Sequence, residues 1–277
     1  MKDLENYLYN TAVVIHHGGE AKRLSTLTKE KFPKGMIEVG INSRPIFDWV
    51  LAKYVDSGIR KFYITLWFEP EAVKKRCKEI ENYSGIEFKF IEEPKDRRLG
   101  RGGAIKFGIK EGIINEDNIL SVNGSDIINY DVKKFVKFHV DGLDKYSVTI
   151  LGSPYDKSIF GRIECEKNEV KRFVEKPLIR LREGEYTNTG IFLLDKKVKD
   201  YLLKIESYPF NLEDNVFLSE LLKRNEVRCY SPEKEIVPGE NWVYFKDKKD
   251  YDGWKNLDFE KFLEIKNINN LLGPYKT

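Results

Sequence analysis

Glutamine is missing altogether from this chain of 277 residues, and cysteine occurs only three times. With no glutamine, no side-chain amide of that reach is available to read the edge of a nucleobase. Cys77, Cys165 and Cys229 are far apart, odd in number and form no CxxC pair. That excludes a disulfide framework and a cysteine zinc site, and it predicts a cytoplasmic protein in a reducing compartment. No stretch approaches the roughly 20 apolar residues that span a bilayer, and the opening MKDLENYLYN has no apolar signal core. Neither membrane insertion nor export is expected. Charge of one sign is lacking too: 48 basic and 45 acidic residues leave a net +3. The lysines are mixed with glutamates, so nucleic acid is not an expected partner.

What is present suits a globular fold. A hydrophobic content of 41%, with 13% aromatic residues, suffices for one large α/β domain with a small appendage. Strand-like runs (TAVVIH, KFYITLW, IEFKFIE, NILSVNG) alternate with helix-period segments (RPIFDWVLAKYVDSG, EPEAVKKRCKEIENYSG, GGAIKFGIKEGI). That rhythm predicts a mostly parallel sheet flanked by helices. Pro45 falls in a first helical turn, and Gly58 and Gly85 follow two helix ends. Beyond Tyr130 the pattern predicts a helix over 132–140, a strand over 147–151 and two short antiparallel strands near 162–164 and 170–174. A last helix is expected from about Tyr251 to Asn269, followed by a tail that frays or docks on a partner. The expected division is a catalytic domain over 1–250 and a C-terminal helix and tail over 251–277.

The segment from His16 to Met36, HHGGEAKRLSTLTKEKFPKGM, follows the first strand and packs paired glycines with cations. Gly18 and Gly19 let a triphosphate approach main-chain N–H groups, while Lys22, Arg23 and Lys34 neutralise its charge. Gly18-Gly19, Arg23-Leu24 and Pro33-Lys34 resemble the GGxGTRLxPLTxxxPKP signature of the sugar-1-phosphate nucleotidyltransferases, or NDP-sugar pyrophosphorylases. Ala21 replaces the third glycine and Lys22 the threonine. The resemblance implies a Rossmann-like fold of the GT-A type, a mixed and mostly parallel sheet flanked by helices.

Four later stations resemble the same family in the same order. Leu99-Gly100-Arg101-Gly102-Gly103-Ala104 is similar to LGTGGA, which implies that Gly100, Gly102 and Gly103 line the nucleotide pocket; a helix start with closely packed glycines is the alternative. Val122-Asn123-Gly124-Ser125-Asp126 resembles an NGD metal station at a strand's C-terminal end, where α/β sheets place ligands. It makes Asp126 the expected Mg²⁺ ligand, with Ser125 predicting a one-residue bulge and an ordinary Asn-Gly turn as the alternative. Phe160-Gly161 and Val174-Glu175-Lys176-Pro177 resemble the sugar-site elements, so Gly161 and Glu175 are expected at the sugar and Lys176 at its phosphate. Thr187-Asn188-Thr189-Gly190 resembles a strand whose asparagine, here Asn188, binds sugar hydroxyls. The 210–221 segment then resembles a family helix, with Glu213 in the corresponding place.

One departure stands out. Where the family reads WxDIGTPEDY, this chain reads Trp242-Val243-Tyr244-Phe245-Lys246-Asp247-Lys248-Lys249-Asp250-Tyr251. The second metal aspartate is thus Tyr244, and Asp247 is a candidate substitute. The resemblance implies attack of a sugar-1-phosphate oxygen on the α-phosphorus of a nucleoside triphosphate, with Arg23 and Lys34 catalytic and Mg²⁺ as cofactor. The attacking monoester is already mostly dianionic at neutral pH, so it needs positioning rather than a base. In place of the glutamine that reads the pyrimidine in many relatives, Glu92 or Glu93 could accept hydrogen bonds from guanine N1–H and N2–H or from the cytosine amino group, which leans toward GTP or CTP. His16 and His17 are read as hydrogen-bonded structural groups. The resemblance also implies a homo-oligomer. Two other readings are carried: a catalytically degenerate sugar-nucleotide-binding regulator, motivated by Tyr244, and a glycosyltransferase, which Gly124-Ser125-Asp126 serves poorly with its single aspartate.

Overall fold

A computed structural model describes residues 4–275 except 18, 20, 30, 157–158 and 176–179. The strands are β1 (Thr11–His16), β2 (Glu38–Val39), β3 (Arg44–Pro45), β4 (Lys61–Leu66), β5 (Glu87–Glu92), β6 (Asn118–Asn123), β7 (Asp126–Ile128), β8 (Val148–Ser153), β9 (Arg162–Glu166), β10 (Glu169–Val174), β11 (Glu185–Leu194), β12 (Val227–Tyr230) and β13 (Trp242–Tyr244). The helices are α1 (Leu4–Tyr9), α2 (Ser25–Thr28), α3 (Ile46–Asp56), α4 (Pro70–Ser84), α5 (Gly100–Lys110), α6 (Val132–Val140), α7 (Lys197–Lys204), α8 (Asn215–Lys223), α9 (Lys248–Trp254), α10 (Phe259–Leu263) and α11 (Ile268–Leu272).

Nine strands form one sheet in the order β5-β4-β1-β6-β11-β8-β12-β10-β9. The first four are mutually parallel. From β11 onward antiparallel pairs enter, and β9 pairs with both β10 and β11. The expected parallel half followed by a mixed half is therefore present. β1 is apolar from Ala12 to Ile15 because helices cover both faces of a parallel sheet. Val13 and Ile15 feed the core beneath α3, α4 and α6, while Ala12 and Val14 feed the core beneath α5, α7 and α8. The period-2 alternation of a strand makes that division.

The C-terminal expectation is corrected. Instead of one helix there are three short ones, α9 to α11, because Asp258 and Asn267 each cap a new start by accepting from the main-chain N–H of Lys261 (3.1 Å) and Asn269 (2.8 Å). The tail docks on its own chain. Arg44 donates to the carbonyl of Gly273 at 2.5 Å, Tyr275 donates to Glu38 at 2.8 Å, and Phe259 packs on Trp49 with ring centroids 5.3 Å apart. Among the described residues no helix is long and apolar enough to cross a membrane.

Candidate active site

Parallel strands β1, β4, β5 and β6 end side by side, and a cavity of about 410 Å³ opens beyond their C-terminal ends. His16, Thr65, Glu93, Arg98, Arg101 and Asn123 wall it, with Gly19 and Gly100 at the rim. Ligands of open α/β sheets bind at such ends. Of the two candidate base-reading acids only Glu93 reaches the cavity. One of its oxygens accepts the Leu99 N–H at 2.7 Å, and burial raises its pKa. Glu92 faces solvent and pairs with Lys74 at 2.9 Å.

The signature loop delivers its cations beside this cavity. Lys22 and Arg23 lie exposed on a 3₁₀ turn, Lys22–Leu24. Ala21, ahead of it, has φ 55°, a left-handed conformation that glycine adopts without strain. Lys34 reaches across to donate to Ser125 Oγ at 2.9 Å. Burial lowers the Lys34 pKa to about 8, Asp126 and Asp250 oppose the shift, and Lys246 and Arg23 add to it. Gly18 and Lys176, both expected in the site, lie outside the described residues.

Asp126 opens β7 immediately after the turn that leaves β6, so Ser125 is housed in that turn rather than in a strand bulge. The carboxylate is buried. Its Oδ2 accepts from Asn123 Nδ2 at 3.0 Å, and Oδ1 faces Lys246 Nζ at 3.7 Å. Lys246 also lies over the Phe160 ring, 4.7 Å from its centroid. In the β7–β13 ladder the residue opposite Asp126 is Tyr244, a phenol whose pKa is raised by burial and then by Asp250, Asp126 and Asp247. Asp247 and Asp250 form a capping box at the start of α9, so Asp247 does not stand in as a metal ligand. Among the described residues no three His, Cys, Asp or Glu side chains gather where they could hold a metal ion. Mg²⁺ is held through one or two carboxylates together with substrate phosphates, and the single carboxylate of Asp126, with Lys246, Lys34 and Arg101 competing for its charge, is a poor fit for that ion.

The second half of the chain enters through β11. Its register shifts between Asn188 and Phe192, and Gly190 within the shift has φ 82°. A Cβ on Gly190 would lie 2.4 Å from Asn123 Nδ2, so only glycine lets β11 approach β6 this closely. Asn188 donates to Glu213 Oε1 at 3.3 Å and accepts from the Gly190 N–H at 2.9 Å. Its main-chain N–H donates to the Gly161 carbonyl at 2.7 Å. Glu213 is ion-paired with Arg101, which also donates to Asn123 Oδ1 at 2.6 Å and to the Gly190 carbonyl at 3.1 Å. Burial brings the Arg101 pKa down to about 10, against the pull of Asp126 and Glu175.

Arg101 and Lys246 are the site residues that sequence reasoning did not select. Each was visible as a cation inside a matching motif, but only the fold brings both to Asp126. Gly102 and Gly103 are closely packed, the alternative reading of this segment: a Cβ would meet the Phe210 ring at 2.4 Å on Gly102 and the Tyr208 ring at 2.9 Å on Gly103. His16 bonds Ser121 Oγ at 2.8 Å, as expected of a structural group. His17 does not: it packs edge-on to Phe47, and neither ring nitrogen has a hydrogen-bond partner among the described residues.

This cation-lined crevice on a mixed α/β sheet is the architecture of a nucleotide-handling transferase. The chain belongs to the nucleotidyl transferase family, whose model matches residues 12–255. It is 23% identical over 291 residues to a glucose-1-phosphate adenylyltransferase of Geobacter metallireducens, covering 98% of this chain and 69% of that protein. It is 24% identical over 202 residues to the mannose-1-phosphate guanylyltransferase catalytic subunit beta of Xenopus tropicalis, covering 72% of this chain and 53% of the relative's length. This chain thus spans about half of that relative. The crystal structure of HddC from Yersinia pseudotuberculosis superposes with a TM-score of 0.67 at 24% identity, covering 91% of this chain and 99% of that one, and shares the fold.

Proposed function

We propose that this protein transfers a nucleotidyl group from a nucleoside triphosphate to a sugar-1-phosphate, releasing pyrophosphate. The observation that carries the reading is the meeting of two halves at Arg101. This residue lines the cavity beyond the parallel strands and is also bound to Glu213 and the Gly190 carbonyl beside Asn188. The names of the two relatives, an adenylyltransferase and a guanylyltransferase acting on hexose-1-phosphates, support the same class.

An oxygen of the sugar phosphate attacks the α-phosphorus, and the bond from that phosphorus to the bridging oxygen breaks, so pyrophosphate leaves with the electron pair. No covalent enzyme intermediate and no general base are needed, because the nucleophile is already anionic. Arg23 and Lys34 stabilise charge gathering on the α-phosphate and the leaving pyrophosphate, and Lys22 adds a phosphate contact. Lys176 aims the acceptor phosphate, while Gly161, Glu175 and Asn188 bind the sugar. Glu93 accepts from guanine N1–H and N2–H or from the cytosine amino group, which favours GTP or CTP.

The test is pyrophosphate release from the four common nucleoside triphosphates with a panel of hexose- and heptose-1-phosphates, run beside Lys34→Ala. Turnover that falls by about 10²- to 10³-fold in the variant is expected. Silence of the intact protein across the panel, with an NDP-sugar still bound, would instead establish the regulatory reading.

A further inference from the structure

We infer that Lys246 acts as the resident cation at Asp126 and, with Lys34 and Arg101, grips the polyphosphate, so that nucleotide binding does not require a divalent ion held by the protein. The inference rests on the nucleotidyl-transfer reading of this site and specifies how its phosphates are held.

Four features of the site lead there. Both carboxylate oxygens of Asp126 already face protein groups, Asn123 on one side and Lys246 on the other, and the side chain is only 1% exposed. The ladder position opposite is a phenol, which brings no second anionic oxygen to a cation. The Lys246 main chain is tied to Asp250 Oδ2 at 2.7 Å, and its ammonium is steered between the Phe160 ring and Asp126. At 3.7 Å from the carboxylate the contact is an ion pair longer than a hydrogen bond, which leaves the ammonium protons available to an incoming oxygen anion.

The charged groups around the site agree. Lys34, Lys246 and Arg101 gather around Asp126, and of the other nearby carboxylates Asp250 is engaged with the N–H groups of Lys246 and Asp247 and Glu213 with Arg101. Lys34 and Lys246 are both half-buried, so their ammonium groups have few water contacts to lose to an anionic ligand. A polyphosphate engages them by charge-assisted hydrogen bonds.

The experiment is calorimetric titration of inorganic tripolyphosphate into the full chain in EDTA, for the intact protein, Lys246→Met and Lys246→Arg, each checked for folding by its thermal melt. The intact protein should bind in EDTA, the methionine variant at least tenfold more weakly, and the arginine variant within a few-fold of the original. Absence of binding until Mg²⁺ is added, or equal affinity of intact and methionine proteins, overturns the inference. Pyrophosphate release measured separately keeps the two readings apart. Binding in EDTA without turnover on any substrate pair upholds the cation site and removes the transferase. Turnover with no binding in EDTA does the reverse.

Discussion

Tyr244 stands directly opposite Asp126 in the antiparallel ladder of β7 and β13. Residues so paired are cross-strand neighbours with Cβ atoms about 5 Å apart. A carboxylate at 244 would complete a two-acid site for a hard cation, and the phenol withholds it. Tyr244→Asp should therefore create metal affinity. Mn²⁺ followed by paramagnetic resonance should bind the variant at concentrations that leave the original protein unbound, and equal binding by both would sink the idea.

Arg101 joins the N-terminal turn of α5 to β6, β11 and Glu213. Its pairing with Glu213 is largely buried, so removing one partner strands the other. Arg101→Leu should destabilise the fold by about 3 kcal/mol, read by urea denaturation. The double variant with Glu213→Leu should recover a large part of that loss. A single-variant cost no larger than the double would show that the pair is not coupled.

Ala21 occupies a left-handed conformation at φ 55°. Glycine adopts that region without the clash a Cβ meets, a difference of about 1 kcal/mol. Ala21→Gly should thus raise the unfolding free energy by up to about 1 kcal/mol, with part of the gain offset by the freer unfolded chain. A lowered melting temperature would contradict it.

All three histidines of the chain are held neutral by burial. His17 is brought down to about 4 and His139 to about 3, and His16 lies well below its usual value, each by desolvation first. A base with a depressed folded pKa has no effect above its unfolded value near 6.5. Below that value the unfolded chain binds the extra proton, so stability falls as pH falls toward the folded values. The slope is about 1.4 kcal/mol per pH unit for each fully titrating histidine. Denaturation at pH 7 and pH 5.5 should show the loss, and His139→Phe should make it shallower.

Much of the fold was legible in the chain. Ala12 to Ile15 within β1 are apolar without a break and so on both faces, the pattern of a strand covered on two sides. Helix α6 fell on its expected residues because a capping aspartate, Asp131, precedes a clean amphipathic period. The C-terminal helices were not legible, because one apolar period runs through Asp258 and Asn267, and the caps that split it compete only locally. In the site, Lys34 and Asp126 could be named from motifs. The packing of Gly102 and Gly103 could not be named, because the aromatic rings that press on them, those of Phe210 and Tyr208, arrive from about a hundred residues later.

The sequence by itself determined the family, the alternation of strands and helices, and the inventory of cations and acids from which a phosphate site can be made. These are local matters of period, turn chemistry and residue type. Tertiary structure alone decided which charges meet. Lys246 lies 120 residues beyond Asp126, and Arg101 more than a hundred before Glu213, and only the sheet order brings each pair into contact. Electrostatic energy depends on distance and burial rather than on order along the chain. The pairing of β7 with β13 is what sets Tyr244 opposite Asp126, with Lys246 two residues further on facing the same carboxylate.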